Sequence, residues 1–146
     1  MENKEIDILL IEDNENDAEL AIMALQKNHV ARYITHLTDG EEALDFLLGK
    51  GQYAGRNTDN KPRVILLDLK MPKVSGLEVL EQLKSNELTK KIPVVMLTSS
   101  KEHPDVEKSY SLGANSYIVK PVDFDSFSKV VNDLGIYWLL LSQPSS

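Results

Sequence analysis

The stretch ILLDLKMPKVSG, residues 65–76, contains the pattern that decides the fold. It continues a short run of apolar and β-branched residues, Val64–Leu67, which ends at the carboxylate of Asp68. A turn containing lysine and proline follows, and Ser75 precedes Glu78 by three residues, which is the spacing of a helix capping box. The stretch therefore predicts a buried strand, an acidic residue at its carboxyl end, and a helix directly after the turn.

Four more short apolar runs alternate with helical patterns along the chain. They predict strands at Ile8–Ile11, Tyr33–Leu37, Val94–Leu97 and Tyr117–Val119, of which the second is the weakest. Such runs are typical of strands that are buried on both faces of a parallel sheet. The fold class predicted from this alternation is α/β: a flavodoxin-like (βα)5 doubly wound parallel sheet in a three-layer sandwich, with the common strand order 2-1-3-4-5.

The helix ends are predicted from capping residues. An Asx or serine residue that precedes a glutamate by three positions is expected to cap the first turn, and a glycine is expected to follow the last turn. The predicted N-caps are Asn16, Asp39 and Ser75, and the predicted glycine stops are Gly49 and Gly113.

Composition limits the class of protein. The chain has 146 residues, 42% of them apolar and 27% charged, which predicts a single globular domain over residues 1–146. There is no cysteine, which excludes disulfides and thiolate metal sites.

The first residues lack the blocks of a signal peptide, and the longest apolar run, Ile136–Leu141, is too short to span a membrane, so we expect a cytoplasmic protein. The net charge of −7 disfavours a nucleic acid as partner.

One connection is longer than the fold requires. Residues 49–63, GKGQYAGRNTDNKPR, consist mostly of turn-forming and charged residues. The sequence leaves two interpretations of this insertion open: a tolerated surface loop, or a loop that docks a partner.

Acidic residues follow two strands that flank the predicted switch point of the sheet. Glu12 and Asp13 follow the first strand, and Asp68 follows the third. Ligands of such sheets bind at the carboxyl ends of these strands. Three neighbouring carboxylates repel one another unless a cation lies among them, and Mg²⁺ combines carboxylates with waters and phosphate oxygens. The pattern favours a magnesium site, and the alternative is that the acids only solvate loops or cap helices.

Two further polar groups follow the remaining strands. Thr98 follows Val94–Leu97, and Lys120 follows the last strand directly before a proline. A carboxylate nucleophile, a metal ion, a hydroxyl group and a lysine are the groups that phosphoryl transfer to an acid requires. The chain therefore contains a complete set for that reaction.

Four motifs in this order resemble the receiver domain of bacterial two-component response regulators. They are LLIEDN (9–14), ILLDLKMPKVSG (65–76), VVMLTSS (94–100) and GANSYIVKP (113–121), and the resemblance covers nearly the whole chain. The insertion and the aromatic tail YWLL (137–140) further resemble the small stand-alone regulators paired with cyanobacterial-type phytochromes.

The resemblance implies a role for each acid. Asp68 would accept the phosphoryl group, Asp13 would bind Mg²⁺ directly, and Glu12 would bind it partly through water. Lys70 would offer its backbone carbonyl to the metal. The family would thus use all three acids of the predicted crevice.

The resemblance also implies roles around the phosphoryl group. Thr98 would donate a hydrogen bond to that group and Lys120 would pair with it, while Tyr117 would be an aromatic switch that moves inward. Lys70 and Ser100 occupy rim positions that tune the rate of hydrolysis. Because neither orients a water as a carboxylate or an amide does, we expect a long-lived phosphoryl group.

The function implied by the resemblance is regulatory. A histidine of a sensor kinase, phytochrome-like by the subfamily resemblance, would supply the phosphoryl group. The protein would catalyse only its own phosphorylation and dephosphorylation, and it would signal through protein contacts to a target that the sequence does not identify.

Three alternatives differ in chemistry. A haloacid-dehalogenase-type phosphatase needs a second aspartate where this chain has Lys70. A flavodoxin-like FMN carrier needs hydroxyls and amides in its first loop, whereas residues 12–17 present four acids. A degenerate receiver that only binds partners stays open, although the set of Asp13, Asp68, Thr98 and Lys120 is complete.

The C-terminal residues predict an extended helix over about 123–142 with more apolar surface than one sheet can cover. Its apolar stripe, at steps of three and four, is Phe124, Phe127, Val131, Leu134, Trp138 and Leu141. We expect a symmetric homodimer through this helix, with Phe127, Leu134, Tyr137, Trp138 and Leu141 at the interface. The alternative is that the extra turns fold back over the domain's own edge.

Overall fold

The computed structural model describes residues 6–27, 33–71, 73–98, 103–119, 125 and 128–129. The strands in these ranges are Ile8–Ile11 (β1), Ile34–Leu37 (β2), Val64–Leu67 (β3), Val94–Thr98 (β4) and Ser116–Val119 (β5). The helices are Glu15–Lys27 (α1), Gly40–Leu48 (α2), Gly76–Ser85 (α3) and His103–Ser111 (α4), with a 3-10 turn at Gly51–Tyr53. No helix in these ranges is long and apolar enough to cross a membrane.

The five strands form one parallel sheet with the order β2-β1-β3-β4-β5. This confirms the predicted fold class and strand order. Ile11 at the end of β1 pairs with Leu37 on one side and with Leu67 on the other. The carboxyl ends of three adjacent strands therefore lie at one level of one edge of the sheet.

The central strands β1 and β3 are buried along their whole length, as their continuous apolar runs predicted. Alternate side chains point to opposite faces, so the sheet separates two apolar clusters. Leu9 and Ile65 pack with α2 and α3, whereas Leu10 and Val64 pack with α1. Each fully buried aliphatic side chain stabilises the fold by about 1.5–3 kcal/mol, so the central pair of strands is strongly held.

Two of the three predicted helix caps are confirmed. The Asp39 side chain accepts a hydrogen bond from the Glu42 amide at 2.7 Å, and the Ser75 hydroxyl accepts one from the Glu78 amide at 3.3 Å. Gly49 ends α2 with a φ of 66°, a left-handed conformation that glycine adopts at little cost. Gly113 likewise follows α4 with a φ of 107°.

The predicted N-cap of the first helix, Asn16, is wrong. Helix α1 begins at Glu15, and Asn14 accepts a hydrogen bond from the Asp17 amide at 2.9 Å through its side chain. Both asparagines have the chemistry of a cap. Asn14 has the role because β1 ends at Ile11, so that the helix begins close to the strand end.

The insertion at 49–63 packs along α2. The Tyr53 hydroxyl donates a hydrogen bond to Glu42 at 3.0 Å, which ties the insertion to the first turn of the helix. Arg56 donates to the Phe46 carbonyl at 3.0 Å, and its guanidinium carbon lies 3.9 Å from the centre of the Phe46 ring. Burial lowers the pKa of Arg56. The inner side of the insertion is thus part of the fold, and a docking role for its outer side stays a prediction.

We expect Arg56→Lys to lower the free energy of unfolding by about 1–2 kcal/mol, because lysine lacks the planar donors and the stacking of the guanidinium. Urea unfolding measures this change. The control is Lys61→Ala in the same insertion, where the side chain is exposed and the expected change is within about 0.5 kcal/mol. An equal effect of the two substitutions would show that Arg56 does not organise the insertion.

The turn between β3 and α3 has no room for a side chain at Gly76. The Gly76 amide donates a hydrogen bond to the Leu69 carbonyl at 2.7 Å. A Cβ atom on Gly76 would lie 2.1 Å from the carbonyl oxygen of Asp68 and 2.7 Å from the Cα of Leu69. These are backbone atoms, so α3 would have to move away from the end of β3.

We expect Gly76→Ala to destabilise the fold by about 3 kcal/mol, at the upper end of overpacking costs. The matched control is Gly55→Ala, since a Cβ atom there meets nothing within 4 Å. That substitution should leave stability unchanged or raise it by up to about 1 kcal/mol. Thermal or urea unfolding of both variants is the measurement, and equal stabilities would contradict the proposed close contact.

Candidate metal centre

The parallel ladder extends one residue beyond the strand ends and thereby positions two acids. The Glu12 amide donates a hydrogen bond to the Leu37 carbonyl at 3.0 Å, and the Asp68 amide donates to the Ile11 carbonyl at 3.0 Å. Glu12 and Asp68 are therefore neighbours on adjacent strands, and Asp13 comes next, where the chain turns towards α1. The register of the sheet, rather than any long loop, brings the acids together.

The three predicted acids converge. Carboxylate oxygens of Glu12, Asp13 and Asp68 all lie within 4.8 Å of one another. Glu12 is 1% exposed and Asp68 is 6% exposed, whereas Asp13 is exposed to solvent. The group therefore has two buried ligands and one open side.

This donor set fits a hard divalent cation. Carboxylate oxygens are the ligands that Mg²⁺, Mn²⁺ and Ca²⁺ prefer. Oxygens at about 2.1 Å from Mg²⁺ are at most about 4.2 Å apart, so a group spread over as much as 4.8 Å closes on the ion by a small side-chain movement or through a bridging water. The positive charge would also offset the repulsion among three carboxylates that are partly withdrawn from water.

Glu12 is held by hydrogen bonds from two sides. The Asn14 amide donates to the Glu12 carboxylate at 3.3 Å, and the His36 ring nitrogen Nε2 lies 2.8 Å from the Glu12 carbonyl oxygen. His36 was not among the residues that the sequence singled out. The available signal was a polar residue inside a short apolar strand, directly opposite Leu10 of the central strand.

An open cleft of about 530 Å³ lies beside Asp13. Lys70, which the sequence placed at the rim of the site, lines this cleft and is exposed. The remaining lining residues are Leu69, Met71, Ser75, Leu77 and Asp105. Asp13 is thus accessible from the side of the β3–α3 turn.

The other predicted site residues are described only in part. Thr98 ends β4 and pairs in register with Val119, the residue before Lys120. The half-buried Tyr117 pairs with Met96 and packs against the larger apolar cluster. The Thr98 side chain, Ser100, Lys120, Phe127 and residues 130–146 lie outside the described part of the chain, so the predicted dimer interface stays a prediction.

Comparison with known proteins agrees with this geometry. Residues 8–132 match the model of the response regulator receiver domain family. The chain is 43% identical over 133 residues to the probable methanogenesis regulatory protein FilR2 of Methanothrix harundinacea, covering 90% of this chain and 83% of that protein. It is 38% identical over 132 residues to response regulator Rcp1 of Synechocystis sp., covering 90% and 88% of the two chains.

Solved structures of the same family superpose over nearly the whole chain. The phosphorylated cyanobacterial phytochrome response regulator RcpA has a TM-score of 0.85 at 36% identity and covers 97% of this chain and 100% of its own. The Mn²⁺-bound form of Rcp1 has a TM-score of 0.84 at 35% identity and covers 97% and 99%. The bacteriophytochrome response regulator AtBRR has a TM-score of 0.75 at 49% identity and covers 92% and 96%. The chain thus belongs to the response regulator receiver domain family, within which it resembles the regulators associated with phytochromes.

Proposed function

We propose that this chain is a phosphorylation-activated response regulator that accepts a phosphoryl group on Asp68 from a phosphohistidine of a sensor kinase. The observation that supports this most directly is the convergence of Glu12, Asp13 and Asp68 within 4.8 Å at one sheet edge. The resemblance to receiver domains assigns the acceptor role to Asp68, which directly follows β3 and whose amide is bonded to the Ile11 carbonyl of β1.

The transfer is a displacement at phosphorus. A carboxylate oxygen of Asp68 forms the new P–O bond while the P–N bond to the kinase imidazole breaks, and the imidazole nitrogen keeps the electron pair and takes up a proton. The product is an acyl phosphate on Asp68. The hydrogen bond from the Asp68 amide to the Ile11 carbonyl fixes the backbone that carries the nucleophilic carboxylate. This lowers the entropic cost of orienting the carboxylate for attack.

The acidic group supports a metal requirement for this transfer. Bound Mg²⁺ would supply positive charge against the oxygens of the transferring phosphoryl group. Asp13 would hold the ion directly, Glu12 partly through water, and Lys70 through its backbone carbonyl. Asp13 is exposed, so phosphate oxygens could approach a bound ion from this open side.

Thr98 and Lys120 are proposed to stabilise the phosphoryl oxygens with a hydroxyl group and an ammonium group. The support is the register of the sheet, since Thr98 pairs with Val119 at the edge where Asp68 follows β3. Tyr117 is proposed as the switch residue, because it lies on β5 opposite Met96, two residues before Thr98 on β4. Lys70 and Ser100 are proposed to tune the rate of hydrolysis.

The partners of this regulator are proposed from its relatives. RcpA is a phytochrome response regulator, which supports a phytochrome-like sensor histidine kinase as the phosphoryl donor for this chain. Output would pass to a protein target. The homodimer through residues 123–142 is supported by the apolar stripe of that segment.

Incubation with acetyl phosphate and Mg²⁺ should add one phosphoryl group to the wild-type chain and none to Asp68→Asn, because the amide is not a nucleophile of comparable strength. Intact mass measurement detects the difference. The control is Glu15→Gln, a neighbouring exposed acid outside the metal group, which should be phosphorylated like the wild type. A phosphorylated Asp68→Asn chain would place the acceptor elsewhere.

Mg²⁺ at 100 times its dissociation constant should stabilise the wild type by about 2.7 kcal/mol through mass action. Asp13→Ala should abolish this effect and the Mg²⁺-dependent phosphorylation. Its stability without the metal should equal or exceed that of the wild type, because one of three repelling charges is gone. Melting curves with Mg²⁺ and with EDTA measure both effects, and an unchanged response to Mg²⁺ in Asp13→Ala would rule out this metal site.

A further inference from the structure

We propose that His36 is a positioning residue for the cation site and that it acts on the backbone of Glu12. This inference rests on the metal site of the proposed function. His36 lies on β2 at the edge of the sheet, and its Nε2 atom is 2.8 Å from the Glu12 carbonyl oxygen. A carbonyl oxygen can only accept a hydrogen bond, so Nε2 carries the proton and donates it.

Adjacent residues of β2 hold both backbone groups of Glu12. The Leu37 carbonyl accepts the Glu12 amide at 3.0 Å, while the His36 ring reaches the Glu12 carbonyl. Strand β1 ends at Ile11, so the peptide that joins Glu12 to Asp13 lies beyond the last residue of the strand. The His36 side chain thereby adds one hydrogen bond between the two chain segments beyond the end of β1, at the peptide that joins Glu12 to Asp13.

The orientation of that peptide sets the direction of the proposed Asp13 ligand relative to that of Glu12. The side chain of Glu12 is directed into the protein, where it is 1% exposed, and that of Asp13 is directed towards solvent. Rotation about the bonds on either side of this peptide would change the direction of the Asp13 carboxylate relative to Glu12 and Asp68. Repulsion among the acids favours such a movement, and the His36 hydrogen bond opposes it.

Groups that orient metal ligands affect affinity although they do not contact the ion. Substitution of such outer partners lowers metal affinity by about 10–100-fold. His36 acts on the main chain rather than on a carboxylate, so we expect its loss to lower metal affinity by about tenfold, the lower end of this range. If the hydrogen bond only supported the edge strand, its loss would lower the stability of the fold and leave the affinity unchanged.

Calorimetric titration with Mg²⁺ and with Mn²⁺ tests this assignment. His36→Leu should bind both ions about tenfold more weakly than the wild type. His36→Gln should bind within about twofold of the wild type, because its amide N–H can donate to the same carbonyl. The matched control is Thr35→Val on the same strand, whose side chain points to the opposite face of the sheet, and it should bind like the wild type.

Unfolding in EDTA, run in parallel, separates the two roles of His36. Wild-type affinity in His36→Leu, together with a lower free energy of unfolding, would overturn the proposal and leave a structural residue. If His36→Leu does not fold, His36→Asn replaces it: its shorter amide falls short of the carbonyl, and equal affinity in the Asn and Gln variants overturns the proposal. Failure of the wild type itself to bind either ion, with Asp13→Asn no different, would overturn the metal site and this inference together.

Discussion

The pairing of β1 with β3, which holds carboxylates together at one edge of the sheet, is the constraint on which the acidic site depends. Glu12 and Asp68 follow paired strands in register, so their backbones cannot separate unless the ladder between β1 and β3 breaks. Both strands of that ladder are buried along their whole length. The free energy of the core thus holds like charges at a separation that they would not adopt alone, and a divalent cation or a set of cationic groups is favoured by this arrangement.

The turn that follows Asp68 is also tightly constrained. The absence of a side chain at Gly76 lets the start of α3 approach the Asp68 carbonyl, and Lys73 in this turn has a φ of 66°. A left-handed lysine is strained by about 1 kcal/mol, and it persists only because the surrounding contacts fix the turn. The Asp68 carboxylate therefore projects from a backbone that is held on one side by β1 and on the other by α3.

Local sequence signals predicted the strands and the acids that follow them, because a buried parallel strand is continuous in sequence and its end is marked by polar residues. The strand order was taken from the common arrangement of five-unit sheets of this class. Contacts between residues of different elements were not predicted from the sequence. Asn14 rather than Asn16 caps α1 because the strand end, not the residue type, decides the cap. The stacking of Arg56 on Phe46 joins an insertion to a helix, and the hydrogen bond of His36 joins an edge strand to the Glu12 carbonyl. Neither contact is marked by a pattern in the local sequence.

An edge strand has one neighbour in the sheet, so the position of β2 also depends on the helix that comes next in the chain. Helix α2 begins three residues after β2, and its first residue, Gly40, is so close to α3 that a Cβ atom would lie 2.6 Å from the side chain of Val79. The insertion contacts the same first turn through the hydrogen bond from Tyr53 to Glu42. The end of β2 that carries His36 is therefore anchored from both α3 and the insertion. The insertion therefore packs on the helix that directly follows the strand carrying His36, and the two are joined through the first turn of α2.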